Sequence, residues 1–136
     1  MAFQQANPAC AQCMETSSTD PTYGPVVVDA VDGLATPNVA GCVALTTKDT
    51  SSTGCGAKVQ AASQCELAAC VPNCQVPPTD QTSFVAFSGC LDQAAQGPCA
   101  KYELAATCDM SMMASYCKTA SPTQSVSLYG RLFCAQ

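Results

Sequence analysis

The sequence predicts an all-α fold: a small disulfide-rich helical bundle built from two repeated helical hairpins plus terminal helices. Three observations carry this. Twelve of the 136 residues are cysteine. Proline follows a capping or turn residue at five places spaced by helix-length intervals. No convincing series of alternating apolar and polar residues marks half-buried strands.

The cysteines matter because the ordinary core formers are scarce. There is no Ile and no Trp, and Leu, Val and Phe together number 22. That is about 16% of the chain, below the roughly 20% at which a core becomes hard to build. Ala supplies much of the apolar fraction and buries little area. Something beyond burial must offset the conformational entropy of folding. Cysteine at about 9% is the range of a disulfide scaffold. About six bridges are expected from Cys10, Cys13, Cys42, Cys55, Cys65, Cys70, Cys74, Cys90, Cys99, Cys108, Cys117 and Cys134. Each contributes about 2–4 kcal/mol, not additively.

The elements follow in order. Asn7-Pro8, Gly24-Pro25, Thr36-Pro37, Gly97-Pro98 and Ser121-Pro122 mark helix starts, since Pro suits the first helical position and Asn, Thr and Ser cap it. Ser121 with Gln124 also fits a capping box. Helices are expected at 8–14, 25–32, 37–45, 56–71, 83–96, 98–118 and 123–134. Val26-Val27-Val28 would equally suit a strand, and Gly33 ends that segment. Residues 46–53 read as a polar loop, Pro72 stops the fourth helix, and 76–80 is a Pro-rich linker.

An internal repeat is visible within one domain spanning 1–136. Gly41-Cys42, Cys55-Gly56-Ala57-Lys58, Ala61-Ala62-Ser63-Gln64-Cys65 and Cys74 match Gly89-Cys90, Cys99-Ala100-Lys101, Ala105-Ala106-Thr107-Cys108 and Cys117. The copies cover approximately 41–74 and 89–117. Equivalent cysteines, 42/90, 55/99, 65/108 and 74/117, should bridge alike. Cys10, Cys13, Cys70 and Cys134 fall outside the repeat and would tie the ends to the body. The pattern of Cys10-Ala11-Gln12-Cys13-Met14, Cys65–Cys70–Cys74 and Cys99–Cys108–Cys117 resembles cysteine-rich exported proteins of unknown function of the myxobacterial type. Those have Ala-rich helices with a Cys every five to ten residues and often open on Cys-x-x-Cys. Their frequent adjacent Cys-Cys pair is absent here, and the resemblance implies no catalytic residues.

Chemistry by the cysteines is disfavoured. Cys10-x-x-Cys13 in a first helical turn matches an oxidoreductase dithiol, but no βαβ context surrounds it. Cys70 and Cys74 at i, i+4, with Cys108, Met110, Met112, Met113 and Cys117, would suit a Cu(I) or Zn²⁺ thiolate store. Against it stand Pro72 between the first pair and the absence of His. The nine-residue spacing of Cys99, Cys108 and Cys117 also alternates helix faces. Without His, Ser–His and Cys–His nucleophiles are excluded, and Asp29 and Asp32 read as a solvated helix face. No enzyme, cofactor or metal is expected.

A net charge of −5 with scattered basic residues disfavours nucleic acid, and no run suits a membrane span. An extracellular, periplasmic or cell-surface location follows from the disulfides, with a signal segment expected to have been removed. Absent sequons favour a bacterial source. The expected role is a secreted, non-catalytic structural or protein-interaction module. The first alternative is a carrier of a small lipid- or sterol-like ligand, its pocket drawn from Phe84, Phe87, Leu91, Tyr102, Met112, Met113, Tyr116, Leu128, Tyr129, Leu132 and Phe133. The second is the thiolate metal store.

Overall fold

The computed structural model describes residues 8–75, 78–110, 117 and 122–134. Within them the chain is mostly helical. Its elements are α1 (Pro8–Met14), β1 (Glu15–Ser17), β2 (Val26–Val28), β3 (Ala35–Pro37), α2 (Val39–Thr47), α3 (Cys55–Cys70), α4 (Gln81–Gln96), α5 (Ala100–Ala105) and α6 (Pro122–Cys134). Short 3₁₀ turns follow α3 at Val71–Asn73 and α5 at Ala106–Met110. The Ala- and Gln-rich α3 is central and packs against α2, α4 and α5, while α1 and α2 both touch α6.

A small sheet corrects the all-α expectation. β2 pairs with β1 in parallel and with β3 antiparallel, Val27 facing Thr16 and Thr36. Residues 25–32 are therefore a strand and a turn, not a helix. Asp29 closes that turn. Its backbone pairs with Gly33 and Leu34, and its carboxylate accepts from the Val31 and Asp32 N–H groups. Gly33 sits at φ 73°, a conformation glycine tolerates best. Asp29 and Asp32 thus belong to a hairpin turn, not to a helix face.

The proline markers divide. Pro8 and Pro122 do open helices, although Ser121 and its capping box lie outside the described residues. Pro25 precedes a strand and Pro37 ends one. The cap of α2 is Asn38, whose side chain accepts from Gly41 N–H. Gly97 closes α4, and α5 starts past Pro98. The expected helix at 98–118 is the six-residue α5 and a 3₁₀ turn before the described run breaks. Cys99, Cys108 and Cys117 therefore do not alternate along one helix.

Five disulfides are present among the described residues: Cys13–Cys134, Cys42–Cys117, Cys55–Cys108, Cys65–Cys99 and Cys70–Cys90. This is one fewer than expected. Cys74 carries a free thiol, and the Cys10 side chain lies outside the described residues. The five are strictly nested. The chain folds back on itself between Cys70 and Cys90, and each bridge ties the first arm to the second, like rungs. Their sequence separations run from 20 to 121, so each alone would restrict the unfolded chain by about 3–5 kcal/mol. Nesting shortens the loop each rung adds, so the five do not sum.

The rungs are also core. Of the seven residues with largest fully buried side chains, four are Cys42, Cys70, Cys99 and Cys117, beside Val43, Pro25 and Tyr129. One apolar cluster joins α2, α3 and α6 through Val43, Val59, Ala62 and Tyr129. The other joins α3 and α4 through Cys70, Phe87, Ala94 and Cys99. Gly56 lets α2 and α3 cross closely: a Cβ there would lie 2.7 Å from the Ala40 carbonyl oxygen and the Ala44 methyl.

Candidate functional site

The sheet does not seal against α3. On the side facing the sheet, α3 presents Gln60, Ser63, Gln64 and Ala68, which are too small or too polar to fill the gap. A cavity of about 590 Å³ results. Its sheet-side wall is Val27, Leu34 and Thr36 with Tyr23. Leu67 and Val71 line the α3 side, Leu91 of α4 closes one end, and Val39 and Ala40 of α2 close the other. An adjoining cavity of about 660 Å³ opens more widely and reaches Leu45, Gly56 and Phe133. The two share Tyr23, Asn38, Ala40 and Gln60.

Asn38 is the post between them. It is 8% exposed. Its amide donates to the Gly24 carbonyl at 3.0 Å, its side-chain oxygen accepts from Gly41 N–H at 2.8 Å, and its own N–H donates to the Pro25 carbonyl. The cap of α2 and the entry to β2 are thus held by one side chain. Tyr23, half-exposed at the cavity mouth, is anchored by its hydroxyl to the Ser18 carbonyl at 2.9 Å.

The charge of the sheet-side cavity of about 590 Å³ has one sign. Among the described residues its charged lining is Asp29, Asp32 and Glu66, with no Lys or Arg. Burial pushes the Glu66 carboxyl above its ordinary range, and the neighbouring Glu103 and Asp92 add to the shift. Asp29 is held below the usual range by the Val31 and Asp32 N–H groups and the Ser18 hydroxyl. The lining offers apolar contact, neutral hydrogen-bonding groups and carboxylates, and among the described residues it contains no cysteine.

The aromatic set expected to line a pocket is dispersed. Leu91 lines the cavity between the sheet and α3, and Phe133 lines the adjoining, more open one. Phe87 is buried between α3 and α4, and Tyr129 is buried against α2 and α3, its hydroxyl donating to the Cys117 carbonyl. Leu128 and Leu132 pack on the same cluster as Tyr129. Phe84 and Tyr102 face solvent, the Tyr102 ring with Lys101 Nζ 4.7 Å from its centre. Met112, Met113 and Tyr116 lie outside the described residues. Sequence reasoning missed Val27, Leu34, Leu67 and Val71. The Val26–Val28 triplet was their signal, once read as a strand.

The cysteines expected to be structural are so at ten positions. Cys13 pairs with Cys134, not with Cys10, so Cys10-x-x-Cys13 is not a dithiol pair. Among the described residues no group of three metal-ligating side chains converges. Ten sulfurs held in bridges are unavailable as thiolates, which removes the basis of the metal-store alternative. No helix among them is long and apolar enough to cross a membrane. The chain matches no protein-family model, no curated protein and no solved structure.

Proposed function

We propose that the chain is a secreted, non-catalytic, disulfide-braced module that holds a small, mainly apolar molecule in the cleft between its sheet and α3. The cavity of about 590 Å³ carries this reading. Its volume lies within the usual 300–1,000 Å³ of small-molecule sites, and its lining has the usual mix of aliphatic walls and a few polar groups. A chain so short of bulky aliphatic residues gains by filling such space, yet here it leaves the space open. Carboxylates without a basic partner favour a ligand whose head is neutral or cationic over a fatty acid. Five disulfides fit an oxidising compartment, and the resemblance to exported cysteine-rich proteins agrees.

A neutral solvatochromic dye such as Nile red tests it. The expected result is saturable binding, displacement by a long-chain alkyltrimethylammonium below its micelle concentration, and loss of binding in Ser63→Trp with far-UV CD unchanged. Dye emission that never saturates, or is unaltered by Ser63→Trp, overturns the reading. A protein-interaction module is the second reading, supported by Phe84 and Val85, adjacent on α4 and more than half exposed.

A further inference from the structure

The disulfide ladder is out of register with the sequence repeat at one rung. Under the correspondence 42/90, 55/99, 65/108 and 74/117, exchanging the two copies turns Cys55–Cys108 into Cys99–Cys65. Both bridges exist. The same exchange turns Cys42–Cys117 into Cys90–Cys74. In its place stands Cys90–Cys70, and Cys74 is left as a thiol.

Cys74 is not remote from that rung. Buried Cys70 belongs to the apolar cluster between α3 and α4, and Cys74 and Cys90 both pack against this cluster, each partly exposed. Cys74 lies four residues past Cys70, where the 3₁₀ turn Val71–Asn73 ends and the backbone becomes extended, at φ −124° and ψ 155°. It therefore borders the linker to α4 and can shift without unwinding either long helix. We propose that Cys70, Cys74 and Cys90 form a three-sulfur exchange site at which the innermost rung has two registers, Cys70–Cys90 and Cys74–Cys90.

The step is internally balanced. Cys74 Sγ loses its proton and attacks Cys90 Sγ. The Cys74–Cys90 bond forms, the Cys70–Cys90 bond breaks, and the electron pair leaves with Cys70 Sγ, which takes up a proton. One disulfide and one thiol are present before and after, so no oxidant is consumed. Both registers leave the ladder nested inside Cys65–Cys99. The loop closed by Cys90 changes from 20 residues to 16, an entropic preference of a factor of about 1.4. Chain closure therefore scarcely favours either. Val71 and Leu91, the neighbours of Cys70 and Cys90, line the cavity between the sheet and α3, so the rung that switches borders its wall.

Disulfide mapping of the unmodified protein is the test. The protein is held at pH 8 without reductant, quenched in acid, alkylated, digested with pepsin at low pH and sequenced by tandem mass spectrometry. Linked peptides of both registers are expected, with alkylation divided between Cys70 and Cys74. Cys70→Ser is expected to form Cys74–Cys90 and keep five bridges, and Cys74→Ser to hold Cys70–Cys90 alone. Alkylation confined to Cys74 in the unmodified protein overturns the proposal, as does a Cys74 bridge to Cys10. A folded Cys70→Ser variant with both Cys74 and Cys90 alkylated overturns it too. None of these outcomes depends on ligand binding.

Discussion

The Asn38 side-chain amide donates to the Gly24 carbonyl at 3.0 Å while its oxygen caps α2 through Gly41 N–H. This one buried group joins the loop before β2 to the helix that borders both cavities. Asn38→Ala leaves a buried carbonyl and a helix N–H without partners. The cap alone is worth about 0.5–2 kcal/mol and the orphaned carbonyl about 1–3. A loss of about 2–4 kcal/mol is expected from guanidinium unfolding with the disulfides intact. Asn38→Asp keeps the cap acceptor and loses the donor, so it should fall between the two proteins.

How far that junction was legible depends on element length. Asn38 follows Pro37, and the rule that Pro opens helices placed the start two residues early, with Thr36 as the cap in place of Asn38. The rule failed because Pro37 also ends a strand three residues long, shorter than the runs in which alternation can be recognised. α3 was legible from its Ala and Gln, and α4 from Phe84, Phe87 and Leu91 at helical spacing. The cleft was not legible. Its floor is Gln60, Ser63 and Gln64, side chains that look solvent-bound until a sheet is known to lie across them. The cysteine argument was right about cross-linking for a partly wrong reason. The nine-residue spacing does tie three points to another arm, but through the N-cap of α5, a 3₁₀ turn and a separate turn, not through one alternating helix.

Tyr129 donates from a site 1% exposed to the carbonyl of equally buried Cys117, so removing its hydroxyl takes a buried hydrogen bond from that carbonyl. Tyr129→Phe keeps the ring against Phe133, 6.2 Å away between centres, and should cost about 1–2 kcal/mol. Burial also raises the Tyr129 pKa. The unfolded chain ionises this group near pH ~10 and the folded chain does so later. Its contribution is therefore complete below that pH and lost as pH rises through the folded value. Denaturation midpoints between pH 9 and 11 should fall more steeply for the parent than for Tyr129→Phe.

Glu66 gives a test of the same sign in the carboxylate range, its carboxyl being held above the ordinary value. Burial, Glu103 and Asp92 all oppose its charge. Below the unfolded carboxyl value, near pH ~4.3, it is neutral in both states and costs the fold nothing. As pH climbs through the folded value, the fold must accept the charge and stability is lost. Glu66→Gln should therefore raise the Tm at pH 7 and leave it unchanged near pH 3. A cationic amphiphile in the cleft should reverse the order, binding the parent more tightly than Glu66→Gln at pH 7 and equally at pH 3. Equal affinities at both pH values would place the ligand's charge away from Glu66.

Nesting makes the order of bridge formation predictable. Among the native pairs, Cys70–Cys90 closes 20 residues and Cys13–Cys134 closes 121. Loop closure alone favours the inner pair by about fifteen-fold at the first step. Once it exists, Cys65–Cys99 and then Cys55–Cys108 need only the short segments between rungs to come together, and α3 supplies one rigid side. The ladder should therefore zip outward from Cys90. Acid-quenched intermediates from oxidative refolding should contain bridges to Cys90 before any bridge to Cys134. Reduction should act in reverse, with Cys13–Cys134, partly exposed at both ends, opening first and helical CD surviving until Cys65–Cys99 and Cys70–Cys90, each with one buried cysteine, are lost. Early accumulation of Cys13–Cys134 would instead mean that α1 and α6 dock before the centre closes.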